Sequence, residues 1–351
     1  MFFDRPRNRI IAALSLMALA VHVFGGGEAL AQKGGGTPPP PSPAPGTIYF
    51  SGWVATSGSG YYAPMTMNGD GTNKQNAFST SVPSYGRHSN SRWFLVEDYD
   101  WDGPLDQWGI PMAWEVYAVN ERNQRMKLTG NATVHVSELG SPAWGKNDSF
   151  VSYPGWWFTG PNPWDVKGGL FVVDIDWSTG VPVAGAPRFL FGAQAYWFQN
   201  WDANVNIDEH DWSPSGNAVA FYKEVDSTSA AGTYVADFAS GTAQIRALTT
   251  GSGAQWSPDG SRIAFSVGEI WTIKPDGTNA VRITQHTVTK STERSQVGPS
   301  WSPDGAFIAY TEAVASGGKT SRSIIRIPSG GGSAVNLTTG LVQAGGAKWR
   351  P

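Results

Sequence analysis

The chain contains no cysteine. Disulfides are therefore excluded, and so is a lipid anchor carried on a cysteine. A fold without such staples must stand on its core, and 351 residues can bury a large one. Charge is also sparse, at 15% of residues, with a formal net charge of −3. This mild acidity is the opposite of the basic patch that nucleic-acid binding needs, so no nucleic-acid partner is expected. No Gly-x-Ser-x-Gly occurs, which removes the nucleophile elbow of the common hydrolases. The one stretch like a phosphate loop, "GGKT" at 317–320, has Ala313 where the first glycine belongs and reads as a hairpin tip.

Long apolar runs are absent except near the amino end. Arg5, Arg7 and Arg9 precede an apolar stretch from Ile10 to Phe24, which leads to Ala29-Leu30-Ala31. This pattern predicts a secretory signal peptide over 1–31, cleaved before Gln32, and hence a periplasmic or secreted protein with no integral membrane segment. Cleavage removes three basic and two acidic residues, so the net charge moves from −3 to −4. Residues 32–46 are rich in glycine and proline and cannot pack. Their proline run reads as a stiff polyproline II spacer of roughly 25 Å. The remaining domain, 47–351, is expected to act as a monomer.

What the sequence does have is a repeat. "DWSPSGNAVAFY" (211–222), "QWSPDGSRIAFS" (255–266) and "SWSPDGAFIAYT" (300–311) align without gaps, and Trp212, Trp256 and Trp301 fall 44 and 45 residues apart. Ser-Pro-Asp-Gly is turn chemistry, and the alternating "IAF" after it is a half-buried strand. A second strand such as 269–275, a "DGTN" turn and a third such as 280–284 complete four antiparallel strands per unit. Four-stranded units of this length are propeller blades. Weaker copies keep Tyr85 and Trp144 as anchors. The chain ends in "GAKWRP", an opening strand whose partners are "TIYFSGW" (48–54) and "YAPMTMNGDGTN" (62–73). Six anchors, Tyr85, Trp144, Trp212, Trp256, Trp301 and Trp349, predict an all-β, six-bladed propeller closed by terminal strands that share one blade.

The Trp-Ser-Pro-Asp-Gly units at 256–260 and 301–305 resemble the WD40-like repeats of the TolB propeller family. The likeness is strong over 205–351 and degenerate over 47–200. It implies the propeller fold, but not the role of the periplasmic translocation protein, because an α/β domain precedes the propeller in that family and only a linker is expected here. Related propellers precede the hydrolase domain of prolyl oligopeptidases, and no such domain is expected before Pro351. Histidines beyond the leader, His88, His135, His210 and His286, fall in different blades without metal-ligand spacing. His210, two residues before Trp212 on an innermost strand, is the candidate to point into the central channel. Some propeller lyases of pectin fragments hold a metal there on several histidines.

The sharpest chemical signal is "DYDWDGPLD" at 98–106. Asp98, Asp100, Asp102 and Asp106 alternate around Gly103, and the Pro104 carbonyl adds an oxygen. Like charges so placed repel unless a cation sits between them. All-oxygen donors in an exported protein predict one calcium ion. The pattern resembles the calcium loops of integrin α-subunit propellers, which close with aspartate at position 9. A weaker candidate, "DANVNIDEH" (202–210), has Ile207 at the glycine position.

Strand parity places the connections 98–113, 154–168 and 192–208 on one face of the propeller. That gathers Trp101, Trp108, Trp156, Trp157, Trp164, Trp197 and Trp201 beside the acidic loop. The expected function is non-catalytic binding of a protein or glycan ligand on this aromatic-rich face. The alternative is a polysaccharide-acting enzyme, a lyase or hydrolase, with its site at the channel mouth.

Overall fold

The computed structural model describes residues 46–56, 59–76, 93–100, 103, 114–120, 122, 124–130, 134–136, 142–158, 166–195, 207–223, 230–285, 292–341 and 343–350. Among these, the only helical element is one short 3₁₀ turn, Lys146–Asp148. The strands form six antiparallel sheets in chain order, the blades of a six-bladed β-propeller.

Blades 4 to 6 show why the repeat folds as it does. Blade 5 runs Ser252–Trp256, Ile263–Val267, Glu269–Ile273 and Val281–Arg282, from innermost to outermost strand. In its first turn the Gly260 N–H donates to the Ser257 carbonyl at 2.9 Å, with Gly260 at φ +72°. Only glycine holds that conformation without Cβ strain. Ser257 Oγ donates to Asp259 at 2.6 Å and accepts from the Arg262 N–H at 3.0 Å, so the turn is locked by its own side chains. Blade 6 repeats the device with Ser302, Asp304 and Phe307. Blade 4 replaces the aspartate with Ser215, which pairs with Ser213 at 3.0 Å.

Blade 1 is shared between the two ends. Ala344–Arg350 pairs with Thr47–Thr56, with Arg350 opposite Thr47 and Trp349 opposite Ile48. The two "DGTN" turns, at 70–73 and 276–279, are built alike. Asp70 and Asp276 each accept from the N–H of the threonine two residues on, at 2.9 and 2.8 Å. Asn73 and Asn279 both adopt positive φ.

Each seam between neighbouring blades is a layer of apolar side chains with the anchor tryptophans inside. Trp144 belongs to the layer between blades 2 and 3, Trp256 to that between 4 and 5, and Trp349 to that between 6 and 1. Bonds from the preceding blade fix these anchors. Buried Asp211 accepts from the Trp256 N–H at 2.8 Å, Ser300 Oγ from the Trp349 N–H at 2.8 Å, and the Gln255 carbonyl from Trp301 Nε1 at 3.1 Å. Between blades 1 and 2, the Arg350 guanidinium lies 4.1 Å over Phe94 and 5.1 Å over Tyr49.

Three boundaries differ from the sequence reading. The second and third strands of blade 3 are Phe150–Phe158 and Val166–Asp176, so Trp156 and Trp157 lie in a strand rather than in a connection over 154–168. "YPGWW" looks like a break, yet Pro154 and Gly155 continue the strand, opposite Leu170 and Gly169 of the third strand. The outer strand of blade 3 also runs through Arg188–Ala195, so the stretch 192–208 begins in a strand. In blade 2 the strands are Trp93–Tyr99, Trp114–Asn120 and Arg125–Lys127, which places Asp98 at the end of a strand. Its anchor Tyr85 lies outside the described residues.

Candidate functional site

Second-to-third-strand hairpins all emerge on one face, because every blade has the same strand order. In blade 2 that hairpin carries the acidic loop. Asp98 and Asp100 are two residues apart and share a side of the strand, which Arg125 and Lys127 share on the outer strand. Arg125 Nη1 lies 2.9 Å from Asp98 Oδ2, and Lys127 Nζ lies 2.7 Å from Asp100 Oδ2. Asp100 is buried, and the Tyr117 hydroxyl donates to its Oδ1 at 3.4 Å. Gly103 donates its N–H to the Asp100 carbonyl at 3.1 Å, and a Cβ there would sit 2.4 Å from Asp100 Oδ2. The glycine is thus required because the turn closes onto the aspartate. Asp102, Pro104 and Asp106 lie outside the described residues.

Lys127 also lies 3.8 Å from buried Glu115, whose other oxygen accepts from the Thr129 hydroxyl. Burial raises the Glu115 carboxyl above the ordinary range, against the Thr129 bond and the Lys127 charge. Burial opposes the charge on Lys127, but the bond to Asp100 and the Glu115 charge raise it overall. Blade 5 contains the same arrangement. Glu269 takes Arg282 and the Thr284 hydroxyl, the latter at 2.6 Å, and Thr284 Oγ1 accepts from the Ile270 N–H as Thr129 does from Val116. Sequence reasoning missed this Glu–cation–Thr unit. The signal was present, since "EVYAVN…MKLT" (115–129) parallels "EIWTIK…VRIT" (269–284). Blade 2 adds a second carboxylate, Asp100, from its longer hairpin.

Glu97 is the other unusual acid. Its strand register opposite Val116 matches Ser266 opposite Ile270 and Thr311 opposite Ile324 in blades 5 and 6. A carboxyl thus stands where the regular blades use a hydroxyl. Its Oε1 is enclosed without a hydrogen-bond partner among the described residues, and burial pushes its pKa up to about 8.

Aromatic pairs mark the same hairpin ends. Trp53 and Tyr62 meet edge to face at 5.1 Å in blade 1, and Tyr99 and Trp114 meet at 4.3 Å in blade 2. In blade 3 Trp156 stacks on His135 at 4.1 Å with 17° between planes. Burial lowers the His135 pKa, favouring the neutral ring in this stack. Trp157 faces the other way and packs on Phe171 and Phe189 at 5.2 and 4.8 Å, a core role. Trp101, Trp108, Trp164, Trp197 and Trp201 lie outside the described residues.

His210 is 1% exposed, with Nε2 2.7 Å from Ser152 Oγ, which also accepts from Trp212 Nε1 at 2.8 Å. It is sealed in the seam between blades 3 and 4 rather than open to the channel. Ile207, at the glycine position of the weaker acidic candidate, is a core residue of the same seam. On the opposite face a cavity of about 650 Å³ between blades 5 and 6 is lined by Asp259, Arg262, Trp301 and Asp304. Its cation is committed, because Arg262 binds Thr272 and the Asn279 carbonyl.

No protein-family model and no curated protein matches this sequence. Solved structures do. TolB from Acinetobacter baumannii superposes with a TM-score of 0.58 at 15% identity, over 89% of this chain and 68% of that one. A TolB-type structure from Agrobacterium tumefaciens gives 0.51 at 14% identity, over 85% and 89%. The fold is therefore that of a TolB-like β-propeller. A puromycin hydrolase, at a TM-score of 0.44 and 16% identity over 82% of this chain and 46% of its own, is a more distant match.

Proposed function

We propose that this chain is an exported, non-catalytic binding propeller that docks a protein or glycan ligand on the hairpin face of blades 1 to 3. The observation that carries this reading is the concentration of aromatic pairs at those hairpin ends. At the matching register blade 5 is already in its turn, between Val267 and Glu269, and blade 6 has Ala313 opposite Arg322. Aromatic residues cost little conformational entropy when fixed and are enriched where binding energy concentrates. The test is a screen of the mature protein against ligands, with Tyr62→Ala and Trp156→Ala compared with Asp304→Ala on the opposite face. Loss of binding in the first two alone supports the reading, and loss in the third alone refutes it.

Calcium is proposed as the organiser of the blade 2 loop. The donor chemistry suits it, with Asp98 and Asp100 joined by Asp102, Asp106 and the Pro104 carbonyl. Arg125 and Lys127 already offset two of these charges, so an ion would add to the pairing or replace it. Among the described residues no cluster of three acidic or histidine ligands is present.

A second reading, an enzyme acting on polysaccharide, draws on Glu97. A carboxyl kept protonated near neutral pH suits a general acid. Glu97→Gln would abolish turnover of a polysaccharide on that reading and leave binding intact on the first.

A further inference from the structure

We infer that the hairpin face of blades 1 to 3 takes an uncharged oligosaccharide, laid across the three blades. This rests on the binding-face reading above and names its ligand class. Each pair, Trp53–Tyr62, Tyr99–Trp114 and Trp156–His135, joins neighbouring strands near the same end of its blade. Each ring is braced by its partner, so its plane is set before any ligand arrives. Pre-set planes lower the ordering cost of binding. The C–H face of a pyranose fits the electron-rich face of such a ring, while the sugar hydroxyls need polar groups nearby. One aromatic pair per blade on three consecutive blades suits a polymer whose rings repeat at regular intervals.

Two observations set this ligand apart from a protein partner. Among the described aromatic residues of these pairs only Tyr62 is strongly exposed, at 49%, and the others are half-buried, so these pairs present separate ring surfaces rather than one continuous apolar patch. Protein hot spots instead sit within an apolar area that excludes water. Charge then selects the class of sugar. Asp98, Asp100 and Glu115 outnumber Arg125 and Lys127, and Asp102 and Asp106 follow in the same loop. A polyuronate would be repelled, while an uncharged chain would not.

The experiment titrates the mature protein with cellohexaose, fully N-acetylated chitohexaose, hexagalacturonate and a proline-rich decapeptide, followed by calorimetry. The proposal expects one of the two uncharged hexamers to bind at least tenfold tighter than its dimer and at least tenfold tighter than hexagalacturonate. Tyr62→Ala and Trp156→Ala should each weaken it about fivefold or more with unchanged circular dichroism. Because Trp156 is half-buried, Tyr62→Phe provides a second check and should keep most of the affinity. Preference for hexagalacturonate, or no binding of either uncharged hexamer, overturns the proposal. Binding of the decapeptide alone, lost in Tyr62→Ala, overturns the sugar but keeps the face. Sugar binding that falls only in Asp304→Ala overturns the face as well.

Discussion

Blades 4 to 6 and blades 1 to 3 have the same strand order but use their sequences differently. In the first group, the Ser-Pro-Asp-Gly turn, with serine for aspartate in blade 4, repeats at fixed spacing, and Ser266 and Thr311 occupy one register in blades 5 and 6. In the second, aromatic pairs appear near the hairpin ends of all three blades, and Glu97 stands where Ser266 and Thr311 stand elsewhere. The regular half shows what the fold requires. Departures from it in the other half are therefore not needed for folding, and they fall mostly on one face. That is the physical reason for reading them as functional.

The largest expected effect comes from breaking what the two halves share. Deleting 345–351 removes the innermost strand of blade 1, including Trp349 at 1% exposed, and opens two sheet edges. Loss of cooperative unfolding is expected, with association of the exposed edges. Trp349→Ala and Trp256→Ala should each cost about 3–5 kcal/mol in denaturant melts, since both fill equivalent seams. A deletion variant that melts as wild type and stays monomeric would refute the shared blade.

Restoring the repeat at Glu97 should stabilise the protein, and only at higher pH. The folded carboxyl has a pKa of about 8 against an ordinary 4.5. Below pH 4.5 both states are protonated and Glu97 carries no penalty. As pH rises towards 8 the unfolded chain ionises while the folded one does not, so stability falls, by roughly 5 kcal/mol at most. Glu97→Gln and Glu97→Thr should thus melt higher than wild type at pH 8 and alike at pH 4. Equal melting differences at the two pH values would show that Glu97 finds a partner in solution.

Much of this architecture was legible in the sequence because turn chemistry repeats at fixed spacing. Trp212, Trp256 and Trp301 gave the period, and "DGTN" linked the two ends of the chain. Blade 3 was less legible, since Pro154 and Gly155 in a central strand imitate a loop, yet both pair with the third strand at Leu170 and Gly169. At the site, the acidic alternation was visible while its cations were not. Arg125 and Lys127 lie 27 residues from Asp98 and Asp100, on a strand brought alongside by the fold. His210 was misplaced for a related reason. Strand parity gives a side chain its side, but not the Ser152 hydroxyl from the neighbouring blade that seals it.

The Glu–cation–Thr units permit a direct comparison between the halves. Arg282→Met in blade 5 leaves one buried carboxylate, Glu269, while Lys127→Met in blade 2 leaves two, Glu115 and Asp100. Lys127 is partly exposed, so solvent offsets part of the loss. About 2 kcal/mol is expected for Lys127→Met and about 1 kcal/mol for Arg282→Met. Adding Asp100→Asn to Lys127→Met should recover the difference. Equal costs for the two single variants would mean that Asp100 does not depend on Lys127.

The smallest effect tests whether the acidic loop needs an ion beyond its protein cations. Extracellular calcium sites bind at roughly 10⁻⁴–10⁻³ M, so 1 mM calcium would add about 0.4–1.4 kcal/mol by mass action. In a domain of this size that raises Tm by about 1–4 °C. Asp100→Asn should abolish the increment, because Asp100 is buried and is the residue onto which Gly103 closes. Lys127→Met should enlarge it, since an ion would then supply the charge that Lys127 provides. Magnesium at the same concentration should do less, given its demand for a near-ideal octahedron. If calcium leaves Tm unchanged in wild type and in Lys127→Met alike, Arg125 and Lys127 are the loop's complete answer to its aspartates, and the calcium assignment fails.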